Sequence, residues 1–265
     1  GCLGERVGYY GNSLGDHFGV GHIFLAGEAP GLFYGYVTQG IVQKEDITEN
    51  GIKYIKQDGS VGYYQTVNKT TPVAGDVKYV DRNGDGVVDD NDRDIIGNPN
   101  PDFTYGFQTK VSWKSLSLSA SFNGVQGRDI LNVGNRYNNT PGTKSNNVTR
   151  KAFQNMWTDE NPSNLYPKST FVVQNMVMDR YVEDGSYLRC SDITLSYILP
   201  AKWTNKIGIK NTSVYASVKN AFVITDYSGY DPEVNSFAFD GLRPGVDMNS
   251  YPTPRSFVFG LNLTF

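Results

Sequence analysis

The last residues of the chain, RSFVFGLNLTF (255–265), alternate in character. Phe257, Phe259, Leu261, Leu263 and Phe265 fall on one side of an extended backbone, and Val258, Gly260, Asn262 and Thr264 on the other. Successive side chains of a strand point to opposite faces, so this period of two predicts a strand with one apolar and one mostly polar face. Four other stretches read the same way. FTYGFQTKVSW aligns Phe103, Tyr105, Phe107, Val111 and Trp113, and LSLSASF aligns Leu116, Leu118, Ala120 and Phe122. YLRCSDITLSYIL aligns Ile193, Leu195, Tyr197 and Leu199, and SVYASVKN aligns Val214, Ala216 and Val218. The opposite faces carry Gln108, Lys110, Ser117, Ser119, Asp192, Thr194, Ser213 and Lys219. An all-β, antiparallel protein is expected. An apolar outside around a polar inside inverts a soluble core and fits a barrel wall in lipid.

The connections alternate in length. Lys114 and Ser115 make a tight turn, the chain leaves the pattern from about 125 to 186, turns back over 200–211, and leaves again from about 225 to 254. In outer-membrane barrels the short turns face the periplasm and the long loops face outside. Strands 103–113 and 255–265 therefore both run inward, and Phe265 sits at the periplasmic edge, where barrel-assembly signals lie. Excursions of this kind lie on the surface and are expected to have little core of their own.

Composition narrows the partners. With 265 residues the chain can form one large β domain or two smaller ones. A net charge of −3 and a pI of about 5.4 leave no broad basic surface for nucleic acid. Cys2 and Cys190, and His17 and His22, match no zinc, disulfide or catalytic pattern, and none is assigned a role. No run of about 18 apolar residues exists for a transmembrane helix. A transmembrane strand needs only about 9–11 residues, every second one apolar, which a mean hydropathy of −0.42 conceals. The first residues, GCLGERVGYYG, lack a signal peptide, so either export is complete or the true N-terminus lies upstream.

One stretch stands apart chemically: DRNGDGVVDDNDRDIIG, 81–97. Asp81, Asn83 and Asp85 alternate as oxygen donors, Gly86 permits a sharp turn, Val87 offers its carbonyl, and Asp92 stands at the closing position. This is the spacing of an EF-hand-like calcium loop over 81–92, with Asp in place of the longer closing Glu and no amphipathic helix before it. Asp89 falls where a ligand acts through water, and Asp90 and Asp94 fall off the ligand spacing and are expected to be solvated. Hard oxygen donors without Cys or His favour Ca2+ over zinc. With no nucleophile, acid or base at hand the ion is expected to be structural, ordering an extracellular loop, and the alternative is a plain acidic turn.

Taken together, several segments resemble the C-terminal part of the SusC/RagA family of TonB-linked outer-membrane transporters. They are GLFYGYVTQGI (31–41), GDVKYVDRNGDGVVDDNDRDIIGNPNPDFTYGF (75–107), WTDENPSNLYP (157–167), VEDGSYLRCSDITLSY (182–197), KNAFVITDYSGYDPEV (219–234) and YPTPRSFVFGLNLTF (251–265). Cys190 stands where the family usually has an apolar residue, and 1–30 matches weakly. The resemblance implies a barrel of about 22 strands with a plugged lumen. It implies a SusD-like surface lipoprotein lidding the mouth, and energy from the TonB complex through an N-terminal part absent here. The cargo would be oligosaccharide or peptide, the location the bacterial outer membrane, and the protein no enzyme. Residues 1–265 would then be about a third of such a protein, an arc of about 6–8 strands without plug or N-terminal strands, unable to transport alone.

Other features have plainer explanations. Tyr9, Tyr10, Phe33, Tyr34, Tyr36, Tyr63 and Tyr64 could stack on sugars, but interfacial girdles and strand packing account for them more simply. Asp231 and Glu233 of YDPEV, and Glu160 of WTDEN, are expected to order loops rather than form a hydrolytic pair. NKT (68–70) and NVT (147–149) fit a glycosylation pattern that carries little meaning in a bacterial outer membrane, and the Gly-rich start lacks the context of a phosphate loop. The competing view is a soluble, secreted, calcium-stabilised β-sandwich that binds carbohydrate. It would turn Phe257, Phe259, Leu261, Leu263 and Phe265 into a closed core.

Overall fold

The computed structural model describes residues 6–10, 21–140, 147–169, 176–204 and 211–264. Cys2, His17 and Phe265 lie outside them. The chain divides into two compact units: 101–128, 184–233 and 251–265 form one, and the remaining segments the other.

The first unit is a single meander of five antiparallel strands, Phe103–Trp113, Leu116–Gln126, Tyr187–Ile198, Asn211–Thr225 and Ser256–Thr264, neighbouring in sequence order. Among the described residues the arc is thus shorter than the sequence suggested. Residues directly opposite in an antiparallel pair share a face. Val111 faces Leu118, Leu118 faces Leu195, Leu195 faces Ala216 and Ala216 faces Phe259, giving a continuous apolar stripe. The polar row runs Lys110, Ser119, Thr194, Ser217 on the other face. Phe257, Phe259, Leu261 and Leu263 are exposed, Phe259 by 79 %. They do not enter a closed core, as a sandwich would require.

The alternation is interrupted once. Ser121 faces Asp192, which faces Lys219; the next pairs are Phe122 with Cys190 and Cys190 with Phe222. Strand Tyr187–Ile198 thus carries one extra residue, Ser191, and strand Asn211–Thr225 two, Asn220 and Ala221, with Asn220 at φ 52°. A bulge leaves its extra residue unpaired and re-aims the side chains beyond it. Read straight through, the apolar phase of Ile193 and Leu195 would put Arg189 and Tyr187 on the greasy face. The bulge instead sets Arg189 opposite Asn123, in the polar row, and places Cys190 between Phe122 and Phe222. It also hides the end of strand Asn211–Thr225, which the sequence pattern stopped near Asn220.

The second unit corrects the expectation that the excursions lack a core. Phe33, Tyr36, Val42, Ile52, Tyr54, Tyr64, Val67, Tyr79, Val88, Leu131, Met178, Tyr181 and Val246 belong to one buried cluster drawn from distant stretches of chain. Strands His22–Leu25, Leu32–Tyr36 and Arg93–Gly97 form part of one small sheet, and Ile47–Thr48, Gly51–Ile55 and Val61–Tyr64 another. Phe33, Tyr34, Tyr36 and Tyr64 are therefore core residues, neither girdle nor sugar platform, while Tyr63 is exposed. Gly35 lets two segments touch, since a Cβ there would lie 2.5 Å from the Val177 carbonyl. That carbonyl accepts from the Tyr36 N–H at 2.9 Å.

His22 is fully buried in this unit, edge-on to Phe33, and donates from Nε2 to the Pro244 carbonyl at 3.0 Å. Burial lowers its pKa from 6.5 to about 4. The unfolded chain then takes up a proton near pH 6.5 that the folded chain refuses until about pH 4, so stability falls as pH drops through that window. Hydrogen exchange of residues 22–36 should show protection lost between these values in the parent protein, and a flatter profile in His22→Gln. Identical profiles would contradict this assignment.

The polarity of the meander generates a second expectation. In lipid, Leu118→Arg should destabilise by about 2–4 kcal/mol, whereas Ser119→Arg, on the polar row, should cost far less. Denaturant titration of the bilayer-inserted protein measures both, and equal losses would contradict the assigned faces.

Candidate functional site

The 81–92 loop is entered from strand Val77–Tyr79 and left through strand Arg93–Gly97, with strands where an EF-hand has helices. Asp81 and Asp92 are buried, at 3 % and 0 % exposure. The Asp81 carboxylate accepts from the N–H groups of Gly84 at 2.6 Å and Gly86 at 2.8 Å. Asp92 accepts from Arg82 at 2.8 Å, Asn83 at 3.3 Å and Asp89 at 2.8 Å. Gly84 and Gly86 sit at φ 77° and 86°, a region that suits glycine, which is what allows these N–H groups to converge.

The loop is also tied to the tyrosine core. The Tyr54 hydroxyl donates to the Asp81 carbonyl at 2.7 Å, and the Tyr36 hydroxyl to Asp90 at 3.1 Å. Burial pushes the Tyr54 phenol up to about 12 and raises Tyr36 as well, so both remain donors at neutral pH. Val87 and Val88 pair in parallel with Thr66 and Val67, and the Gly86 and Val88 carbonyls accept from Gln65 at 2.7 Å and Asn68 at 3.0 Å. Carbonyls along an extended strand alternate in direction, so the Val87 carbonyl points away from strand Thr66–Val67.

Of the five expected ligands, Asp81 and Asp92 thus turn into the loop. Asn83 and Asp85 do not join them: Asn83 donates to Asp85 at 2.9 Å, and Asp85 accepts from Val87 at 2.9 Å, both at the exposed rim. Among the described residues no three His, Cys, Asp or Glu side chains gather as a preformed metal centre. Asp89 caps the short turn Asp90–Asp92 by accepting from Asn91 at 2.8 Å. Asp90 and Asp94 are not merely solvated, since Asp90 pairs with Arg93 at 2.5 Å and Asp94 with Arg82 at 2.7 Å. Burial raises the Asp92 carboxyl above its usual range against the pull of its three N–H partners, and the charge of Asp81 adds to the rise. A carboxylate that accepts N–H bonds retains lone pairs, so the chemistry of Asp81 and Asp92 is compatible with a hard cation.

A second polar cluster lies in the meander and was not legible as a cluster in the sequence. Arg189, nearly buried, meets Asp231 at 2.5 Å and Glu233 at 3.4 Å. Glu233 accepts from the Tyr187 hydroxyl at 2.7 Å and the Asn123 amide at 2.9 Å. Thr253, where the excursion returns, donates to Asp231. Both acids of YDPEV are thus committed to loop ordering, and they pin the two feet of the 226–255 excursion to the polar face. Arg189→Met leaves Asp231 buried without its partner and should cost about 3–5 kcal/mol. Limited proteolysis should then cut within 226–255, and adding Asp231→Leu should restore part of the loss. Unchanged cleavage in Arg189→Met would contradict the anchoring role.

An antiparallel meander that is apolar outside and polar inside, with short turns at one end and long excursions at the other, defines an arc of transmembrane β-barrel. No protein-family model matches the chain. It is 35% identical over 201 residues to TonB-dependent receptor P26 of Formosa agariphila, covering 73% of this chain and 20% of that receptor. Over 248 residues it is 33% identical to TonB-dependent receptor P3 of the same organism, covering 92% and 23%. To TonB-dependent receptor SusC of Bacteroides thetaiotaomicron it is 34% identical over 194 residues, covering 71% and 17%. A RagAB peptide importer in its open-open state superposes with a TM-score of 0.62 at 26% identity, covering 92% of this chain and 23% of that one. These similarities fit a C-terminal portion of the SusC/RagA family of TonB-dependent receptors. It spans about a quarter or less of the relatives named here, less than the third expected from the sequence.

Proposed function

We propose that this chain forms part of an outer-membrane TonB-dependent transporter that imports glycans or peptides together with a SusD-like surface lipoprotein. The observation that carries the reading is the inside-out polarity of the meander, read with the kinship to TonB-dependent receptors. The similarity to a RagAB peptide importer supports peptide as cargo, and glycan follows from the family resemblance of the sequence. The role is passage, not chemistry: Asp231 and Glu233, the acids of YDPEV, are both held by Arg189. The test is made on the full-length protein in its native host. It should fractionate with the outer membrane, co-purify with a surface lipoprotein, and take up labelled oligosaccharide or peptide only while the membrane is energised. Recovery as a soluble, detergent-free monomer would overturn the reading in favour of a secreted sandwich.

Within that protein the 81–92 loop is proposed to bind calcium as a structural ion on the extracellular side. Asp81, Asn83, Asp85 and Asp92 would supply side-chain oxygens and Val87 its carbonyl, about 2.3–2.6 Å from the ion. The buried pair Asp81 and Asp92 supports this, because a cation would offset their repulsion. Asn83 and Asp85 would turn inward on binding. Protons compete for Asp92, so affinity should fall as pH drops. Asp81→Asn combined with Asp85→Asn removes two charges at constant size and should weaken calcium binding in calorimetry while the barrel still assembles. Equal affinity in the variant would reduce the stretch to an acidic turn.

A further inference from the structure

The two short connections of the meander differ from the rest of this acidic chain. Residues 113–115 (WKS) and 199–204 (LPAKWT) contain Lys114 and Lys202 and no Asp or Glu. They lie at the same end of the sheet, since Ile198 donates to the Ser115 carbonyl at 2.8 Å and Leu199 to the Thr212 carbonyl at 2.9 Å. The last strand ends there too, with Thr264 opposite Asn211. Each connection presents an exposed tryptophan beside an exposed lysine: Trp113 is 69 % exposed and Trp203 65 %. The Lys114 ammonium sits 4.9 Å from the Trp113 ring centroid, with Lys114 at φ 53°. Trp113 faces Leu116, which faces Tyr197, so it closes the apolar face at its rim.

We infer that this rim binds anionic phospholipid headgroups, resting on the proposed transporter reading for its orientation. Tryptophan settles where hydrocarbon meets headgroup, with its ring in the apolar layer. Lysines one residue away then reach the phosphate level with their charge while their stems stay against the apolar face. The short turns of such barrels face the periplasm, where the adjoining leaflet is phospholipid. A zwitterionic headgroup offers no net charge to these lysines, whereas phosphatidylglycerol does. Each lysine near such a surface contributes about fivefold in affinity. The acids of the chain lie outside these two connections, so nothing within them opposes the attraction.

The test uses the full-length protein purified from the outer membrane and titrated with phosphatidylglycerol or phosphatidylethanolamine under native mass spectrometry. Wild type should bind phosphatidylglycerol more tightly. Lys114→Gln combined with Lys202→Gln should lower that affinity by about fivefold for each lysine removed, leaving phosphatidylethanolamine binding and barrel assembly unchanged. Lys53→Gln with Lys56→Gln, in the other unit, should change neither lipid. Undiminished phosphatidylglycerol binding in the first pair, or an equal loss in the second, overturns the rim site while the transporter reading stands. Failure of the wild-type protein to reach the outer membrane would instead sink the transporter reading itself.

Discussion

In hydrocarbon no water is present to satisfy a backbone N–H or carbonyl, so a sheet survives there only if its strands pair along their length and turn apolar side chains outward. Everything distinctive in the meander stems from that constraint. The strands pair in sequence order, with the register shifting only at the bulge, and the stripe from Val111 through Leu118, Leu195 and Ala216 to Phe259 runs across all five. Lys110 and the hydroxyls of Ser119, Thr194 and Ser217 make the opposite row, where water and polar neighbours are tolerated.

The bulge at Ser191, Asn220 and Ala221 is where two demands meet. The lower part of the wall needs Ile193 and Leu195 facing lipid. The upper part needs Arg189 on the polar side to hold Asp231 and Glu233. A strictly regular strand cannot meet both, because the two sets share one parity. The added residues resolve the conflict, and the Arg189 ion pairs then fix where the last excursion leaves and rejoins the wall. In the other unit tyrosines do the comparable work: they fill a core that the excursions share, and their hydroxyls reach the Asp81 carbonyl and the Asp90 carboxylate.

The wall was legible in the sequence because its code is local: a period of two, punctuated by Lys114–Ser115, is visible without any neighbour. The extent of strand Asn211–Thr225 was not, since the bulge breaks the period at Asn220. Neither was the compact unit, because Phe33, Tyr64, Leu131 and Met178 meet only after distant segments fold together, and no window of sequence holds that pattern. At the loop the spacing indicated Asp81 and Asp92, which do turn inward. It could not show that Asn83 and Asp85 satisfy each other at the rim, nor that Asp90 and Asp94 find Arg93 and Arg82. Such choices depend on hydrogen-bond competition among neighbours, which spacing does not encode.

One face of the meander is built to meet lipid and the other to meet water. Nitroxide labels placed singly at 257–263 of the full-length protein in bilayers measure this directly, through collision with oxygen, which favours hydrocarbon, and with a water-soluble nickel chelate. Accessibility should alternate at every residue, with oxygen dominant at 257, 259, 261 and 263 and nickel dominant at 258, 260 and 262. Uniform accessibility along the strand, or a pattern of the opposite phase, would contradict it.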